Sequence, residues 1–254
     1  MRSEEFRALL SENSVDETAL QSLRAGVPLG VDALGKIVLS QQSEHPYTVK
    51  HTCVTGARRT TFIRRLLLHL SCLYDCSEAN FFILSPRGDY GELLRLQSAD
   101  VTAPYVRTKG DFDSGVRCLH ELLSLYQQGK GYPRLILVLD GLESLEGCNA
   151  NGDLEEYRAV LELFAREKNV EIISGVELMK SIFSGNPGVF VGVGNCLVTT
   201  REEGKADVTY VGDDSSLSLP TSLVFPDTPS VTETLIFMNS LQKNEGGIVE
   251  VNKE

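Results

Sequence analysis

Six short runs of β-branched and aliphatic residues, interleaved with stretches of helical spacing, constrain this chain more than any other feature. The runs Thr52–Thr55, Asn80–Leu84, Tyr105–Arg107, Leu135–Leu139, Val170–Ser174 and Cys196–Thr199 read as strands. Several are apolar throughout, the pattern of a strand covered on both faces. Between them, Thr61–Tyr74, Phe112–Gln127, Leu154–Glu167 and Glu177–Phe183 carry apolar residues at helical intervals. Such alternation predicts an α/β fold, a doubly wound and mostly parallel sheet with helices on both faces and right-handed crossovers.

The flanks read differently. Glu4–Leu23 predicts one or two short helices at the domain edge, and Gly26–Leu39 predicts a hairpin with a polar tip at Asp32–Gly35. Beyond Thr200, Asp207–Val211 and Leu223–Phe225 read as short strands of an antiparallel extension, followed by a final helix over Pro229–Gln242. The division expected is a helical segment over 1–25, a core over 26–200, and strands and a helix over 201–254 that complete the same domain.

A strand, Thr52-Cys53-Val54, runs into a turn at Gly56 and then an amphipathic helix from about Thr61. Nucleotide-binding proteins place the phosphate loop G-x-x-x-x-G-K-[ST] at such a junction, where successive backbone N–H groups wrap the phosphates, Lys reaches them and the hydroxyl holds Mg²⁺. Here only Ala57, Arg58 and Arg59 separate Gly56 from Thr60, with neither a second Gly nor a Lys. The candidate binding residues are Gly56, Arg58, Arg59, Thr60 and Thr61, with Asp140 at the end of a later strand. Two readings stand for the arginines Arg58, Arg59, Arg64 and Arg65: an altered anion site at a helix N-terminus, or solvated turn residues and partners of surface acids. Asp140 likewise reads as a residual Mg²⁺ ligand or as a turn and cap acid.

Composition removes other classes. A net charge of -11 opposes binding to nucleic acid phosphates, and no apolar run approaches the roughly 18 residues of a membrane span. Met1-Arg2-Ser3-Glu4-Glu5 leads into an amphipathic helix, so no cleavable signal and a cytoplasmic location are expected. The cysteines Cys53, Cys72, Cys76, Cys118, Cys148 and Cys196 show no C-x-x-C spacing and read as small buried thiols, and no metal site is expected. No serine has a nucleophile-elbow context, and the histidines have no identifiable catalytic partner.

From Pro28 to Met179 the order of local sequences resembles the motor domain of FtsK/SpoIIIE-type translocases, a branch of the RecA-like P-loop ATPases. Pro28-Leu29-Gly30-Val31 with Gly35-Lys36 is similar to that family's first hairpin, and Val54-Thr55-Gly56-Ala57 with Phe62–Leu70 to its strand, glycine turn and leucine-rich helix. Phe82–Gly88 is similar to a strand ending in Asp-Pro-Lys, with Ser85 and Arg87 in place of the acid and the lysine; Glu92 and Leu93 continue the match. Leu135–Gly141 resembles the passage through the Walker B strand, with Asp140 at its first acid and Gly141 where the water-polarising acid belongs. Glu143 and Glu146 follow too late to replace it, and Ser174 alone stands where the next strand carries a polar sensor.

The resemblance implies a RecA-like three-layer fold, with a degenerate Walker A, as in modules of type VII secretion ATPases. It implies a pseudo-ATPase acting as a protein-interaction or regulatory module, with no catalytic residues and no resident cofactor. Its partner would be an active ATPase or secretion component, or a second copy of itself. The alternative is an ATP-binding DNA or protein translocase module in which Arg59 stands in for the phosphate lysine, Thr60 or Thr61 holds Mg²⁺ and Asp140 completes the metal shell.

Overall fold

The computed structural model describes residues 27–40, 51–85, 90–99, 105–109, 112–128, 132–141, 159, 163, 164, 167, 169–175, 196–201, 204–210 and 218–225. Their strands are β1 Pro28–Val31, β2 Ile37–Leu39, β3 His51–Thr55, β4 Ala79–Leu84, β5 Tyr105–Lys109, β6 Arg134–Asp140, β7 Val170–Gly175, β8 Cys196–Thr200, β9 Lys205–Tyr210 and β10 Thr221–Val224. The helices are α1 Arg59–Leu73, α2 Gly91–Ala99 and α3 Phe112–Gln127. The helices expected at Glu4–Leu23, Glu177–Phe183 and Pro229–Gln242 lie outside the described residues, as does most of Leu154–Glu167.

All ten strands form one sheet in the order β2-β1-β10-β9-β8-β3-β7-β6-β4-β5. From β8 to β5 every neighbouring pair is parallel, whereas β9, β10, β1 and β2 add an antiparallel wing. The six predicted runs are the six parallel strands, each extended by one or two residues. The wing holds the two expected late strands together with the early hairpin, whose place beside them was not foreseen. Helix α2 was also missed, because its nine residues follow a Ser-Pro-Arg-Gly-Asp stretch that reads as a turn.

The strand runs are apolar because both faces are covered. Along β6, Ile136 and Val138 join α1 and α2 in one core with Phe62, Ile63, Leu67, Leu70, Leu93 and Leu96. The alternate residues Leu135, Leu137 and Leu139 face the other way and join Val116, Leu119 and Leu123 of α3. Period-2 alternation thus splits one continuous apolar run between two layers of helix. Removing one such fully buried side chain, as in Phe82→Ala, typically costs about 3–5 kcal/mol. Helix α1 is buried along most of its length and ends where Tyr74 turns to an extended backbone (φ -128, ψ 144).

The wing is tied to this frame by particular contacts. Phe225, just after β10, meets Phe62 of α1 edge to face at 4.8 Å, and the Arg65 guanidinium lies 5.4 Å from its ring centre. At the open end of the hairpin, the Val27 amide donates to Ser40 Oγ at 3.0 Å, and that hydroxyl donates to the buried Glu171 of β7 at 3.1 Å. The Tyr210 hydroxyl donates to the Leu39 carbonyl at 2.7 Å. Among the four thiols described, Cys118 and Cys196 are buried and Cys53 half-buried, but Cys76 is exposed, which corrects the expectation of uniformly buried thiols.

Two histidines sit in the core. His51, at the start of β3, has Nε2 2.7 Å from Ser174 Oγ, and burial lowers its pKa from 6.5 to about 4. His69 on α1 is lowered to about 4 by burial and then by the nearby Arg65 charge. Both imidazoles are therefore neutral in the folded chain at pH values where the unfolded chain already binds protons. Stability is full above about pH 6.5 and is lost as pH falls toward 4, by up to about 1.4 kcal/mol per pH unit for each histidine. In urea unfolding at stepped pH, wild type should weaken across that window more steeply than a His51→Gln/His69→Gln variant; equal slopes would refute the assignment.

Candidate functional site

The C-terminal ends of β3, β6 and β7 meet the start of α1, the edge at which open α/β sheets bind ligands. Asp140 ends β6, one residue past the Leu84–Leu139 pair and opposite Gly175 of β7. Its side chain lies on the α1 and α2 side, because Leu139 belongs to the α3 core. Only 1% of Asp140 is exposed. An ionised carboxylate at that depth needs charged or hydrogen-bonding partners.

Three side chains supply them. Arg59, the first residue of α1 and only 5% exposed, places Nε 3.3 Å from Oδ1. The Thr60 hydroxyl donates to Oδ2 at 2.7 Å, and the Tyr90 hydroxyl, just before α2, donates to the same oxygen at 2.9 Å. Gly175 makes the room: a Cβ there would lie 2.3 Å from Oδ1. Gly141 follows with φ 77, in the left-handed region that favours glycine, so backbone geometry accounts for the residue that stands where the resemblance places a second acid.

The β3–α1 turn is closed by the neighbouring strand. Gly56 has φ 103, and a Cβ on it would lie 2.3 Å from the Thr200 carbonyl oxygen and 2.5 Å from Thr200 Oγ1. Thr200 Oγ1 donates to the Thr55 carbonyl at 2.8 Å, and the Arg59 amide donates back to the Gly56 carbonyl at 3.3 Å. The end of β8 thus packs directly against the turn.

Of the six residues singled out in the sequence, Arg59, Thr60 and Asp140 come together. Gly56 shapes the turn, Arg58 is exposed as the N-cap residue, and Thr61 is half-buried and makes none of the three contacts to Asp140. Arg58 is exposed in the turn, whereas Arg59 is buried with its Nε toward Asp140. Arg64 pairs with Glu92 at 2.7 Å, as the reading of surface partners anticipated, whereas Arg65 is buried against Phe225. The reading of Asp140 as a turn acid gives way to a buried acceptor of three side chains. Ser174, the residue at the sensor position, faces the other layer, where His51 and Cys53 share its hydroxyl. Glu143 and Glu146 lie outside the described residues.

Tyr90, Gly175 and Thr200 were not identified from the sequence. Tyr90 lies 50 residues from Asp140, and no local pattern marks such a partner. Among the described residues, no three His, Cys, Asp or Glu gather as a metal site, and no helix is long and apolar enough to cross a membrane.

No family model and no curated protein matches the chain. Solved structures do. A protein described as an ATPase aligns with TM-score 0.54 at 14% identity, over 82% of this chain and 93% of its own. The pCW3 conjugation coupling protein TcpA, in a monomer form with ATPγS, aligns with TM-score 0.59 at 10% identity, over 86% and 70%. ATPases 2 and 3 of Thermomonospora curvata EccC, in complex with a signal sequence peptide, align with TM-score 0.55 at 11% identity. This chain covers 41% of that EccC chain, and 80% of this chain is aligned. These neighbours are FtsK/SpoIIIE-like ATPases, and the chain has their RecA-like α/β P-loop fold, as the order of motifs implied. At such identities the likeness carries the fold alone.

A buried ion pair stripped of one member leaves an uncompensated charge, typically a loss of about 3–5 kcal/mol, while replacing both members by apolar groups costs far less. Arg59→Met and Asp140→Leu should each destabilise on that scale in urea unfolding, and the double variant should cost at least about 2 kcal/mol less than their sum. Strict additivity would remove the pair from the account.

Proposed function

We propose that this chain is a catalytically inactive FtsK/SpoIIIE-like domain that serves as a protein-interaction or regulatory module of a translocation or secretion apparatus. The observation that carries this reading is the occupation of Asp140. Its carboxylate, which in a working site would help hold Mg²⁺, is neutralised by Arg59 and receives the Thr60 and Tyr90 hydroxyls. A divalent cation entering here would meet a guanidinium, so the arrangement does not fit Mg²⁺. Gly141 in place of a second acid, and Thr200 packed on the turn where phosphate would lie, support the same reading.

The neighbouring folds come from a conjugation coupling protein and a secretion ATPase. By that analogy the partner is an active ATPase or another secretion component, or a second copy of this chain. The net charge of -11 disfavours nucleic acid. One observation favours the alternative, an ATP-binding module with an atypical loop: Arg59, Thr60 and Asp140, the three residues it needs, do converge. Against it, a planar guanidinium is a poor substitute for a compact ammonium in a tight phosphate loop.

Calorimetric titration of Mg²⁺-ATP into the purified protein separates the two readings. The inactive reading predicts no binding heat and no phosphate release. Binding tighter than about 100 μM, roughly -5.5 kcal/mol, that Arg59→Ala abolishes would establish the alternative.

A further inference from the structure

The two outer strands of the sheet differ. Strand β2 is three residues long, and shortness is one way a sheet closes an edge to pairing. Strand β5 is five residues long and pairs along its whole length with β4 on one side. Among the described residues no strand lies beyond it. The Lys109 carbonyl accepts the Ser85 amide at 2.9 Å, so the Lys109 backbone is turned inward to β4. Along a strand the N–H and C=O of one residue point to one side and those of the next residue to the other. Arg107 therefore also bonds inward, and Val106 and Thr108 present their backbone N–H and C=O groups at the open edge.

Two cations stand along that edge. Arg107 and Lys109 pair in register with Phe82 and Leu84 of β4, whose side chains belong to the α3 layer, so both cations lie on the α3 face, two residues apart. Both are partly exposed, and among the described residues neither makes an ion pair. The chain holds 35 acids against 24 Lys and Arg, so this basic pair runs against the charge of the whole.

Charged side chains on an edge turn away strands that cannot compensate them. A second copy of β5 is turned away, because antiparallel self-pairing sets these cations against the same two cations, and like charges directly opposite are destabilising. An extended segment with acids at alternate positions meets both demands: its backbone bonds to Val106 and Thr108, and its carboxylates stand opposite Arg107 and Lys109. We propose that the outer edge of β5 is a docking site for an extended acidic segment of a partner protein, which joins the sheet as a further strand. The inference stands on the edge strand and does not depend on whether the Asp140 centre takes nucleotide.

Two synthetic peptides test it, acetyl-Val-Glu-Val-Glu-Val-Glu-Val-amide and its counterpart with Lys for Glu, each titrated into the isotopically labelled full chain and followed by backbone amide NMR signals. The Glu peptide should shift the Val106 and Thr108 amides saturably and bind about tenfold more tightly than the Lys peptide, from two attractive cross-strand pairs set against two repulsive ones. The double variant Arg107→Glu/Lys109→Glu should reverse that preference. Thr108→Pro removes an outward donor, a change that edge strands accept, and leaves the bonds to β4 in place, so it should abolish binding. The proposal is overturned if the Glu peptide leaves these amides unshifted, if the two peptides bind alike, if the charge-reversed variant keeps the wild-type preference, or if Thr108→Pro binds as wild type does.

Discussion

The surroundings of the β3–α1 turn are organised about one buried carboxyl group, that of Asp140. Asp140 ends a strand whose residues are all covered, so its oxygens have no water to fall back on and must be met by side chains. Meeting them draws Arg59 and Thr60 inward from the first turn of α1 and Tyr90 across from the start of α2. It also fixes Gly175, since any side chain there would collide with Oδ1. Four elements are thereby pinned at one point, and the α1 N-terminus, elsewhere a place for anions, faces a cation from its own first residue.

The parallel core was legible because its signal is local. A run such as Leu135-Ile136-Leu137-Val138-Leu139 is apolar throughout because both sheet faces are covered, and the alternation of such runs with helical stretches gave the fold class. The two-helix-layer arrangement followed from the spacing of Phe62, Ile63, Leu66, Leu67 and Leu70 and of Val116, Leu119 and Leu123. The site was half legible. Glycine turn and strand-end acid marked Gly56 and Asp140, but whether Arg59 pointed out to water or in to Asp140 depended on a contact 81 residues away. Tyr90 and Thr200 were invisible for the same reason. Their roles are set by tertiary register, and nothing in their immediate neighbours encodes it.

Ser174 and Gly141 each have a geometric role beside the motif position they occupy. Ser174 sits at the expected position in the chain, yet one residue of register decides which face a strand side chain occupies, and its hydroxyl serves His51 and Cys53 in the other layer. Gly141 looked like a lost acid and is also a backbone requirement, because the chain leaves β6 through φ 77. Reading either residue against a motif alone assigns to chemistry what geometry demands.

A tethered cation and an exchangeable one make different machines from the same frame. A divalent ion at a strand-end acid arrives with its nucleotide and leaves with the product, so the local charge balance changes with each event, and that change is what moves neighbouring elements. Arg59 is held by the backbone of α1 with its Nε 3.3 Å from the carboxylate, at a high effective concentration. Under the proposed inactive reading, Arg59 meets the balance at Asp140 and leaves ligand binding no charge to neutralise there. What can still vary is the choice among neutral donors, since exchanging one hydroxyl for another on Oδ2 changes no net charge. Both hydroxyls on Oδ2 come from well-packed positions: Thr60 belongs to the first turn of the buried α1, and Tyr90, itself buried in the core, stands just before α2.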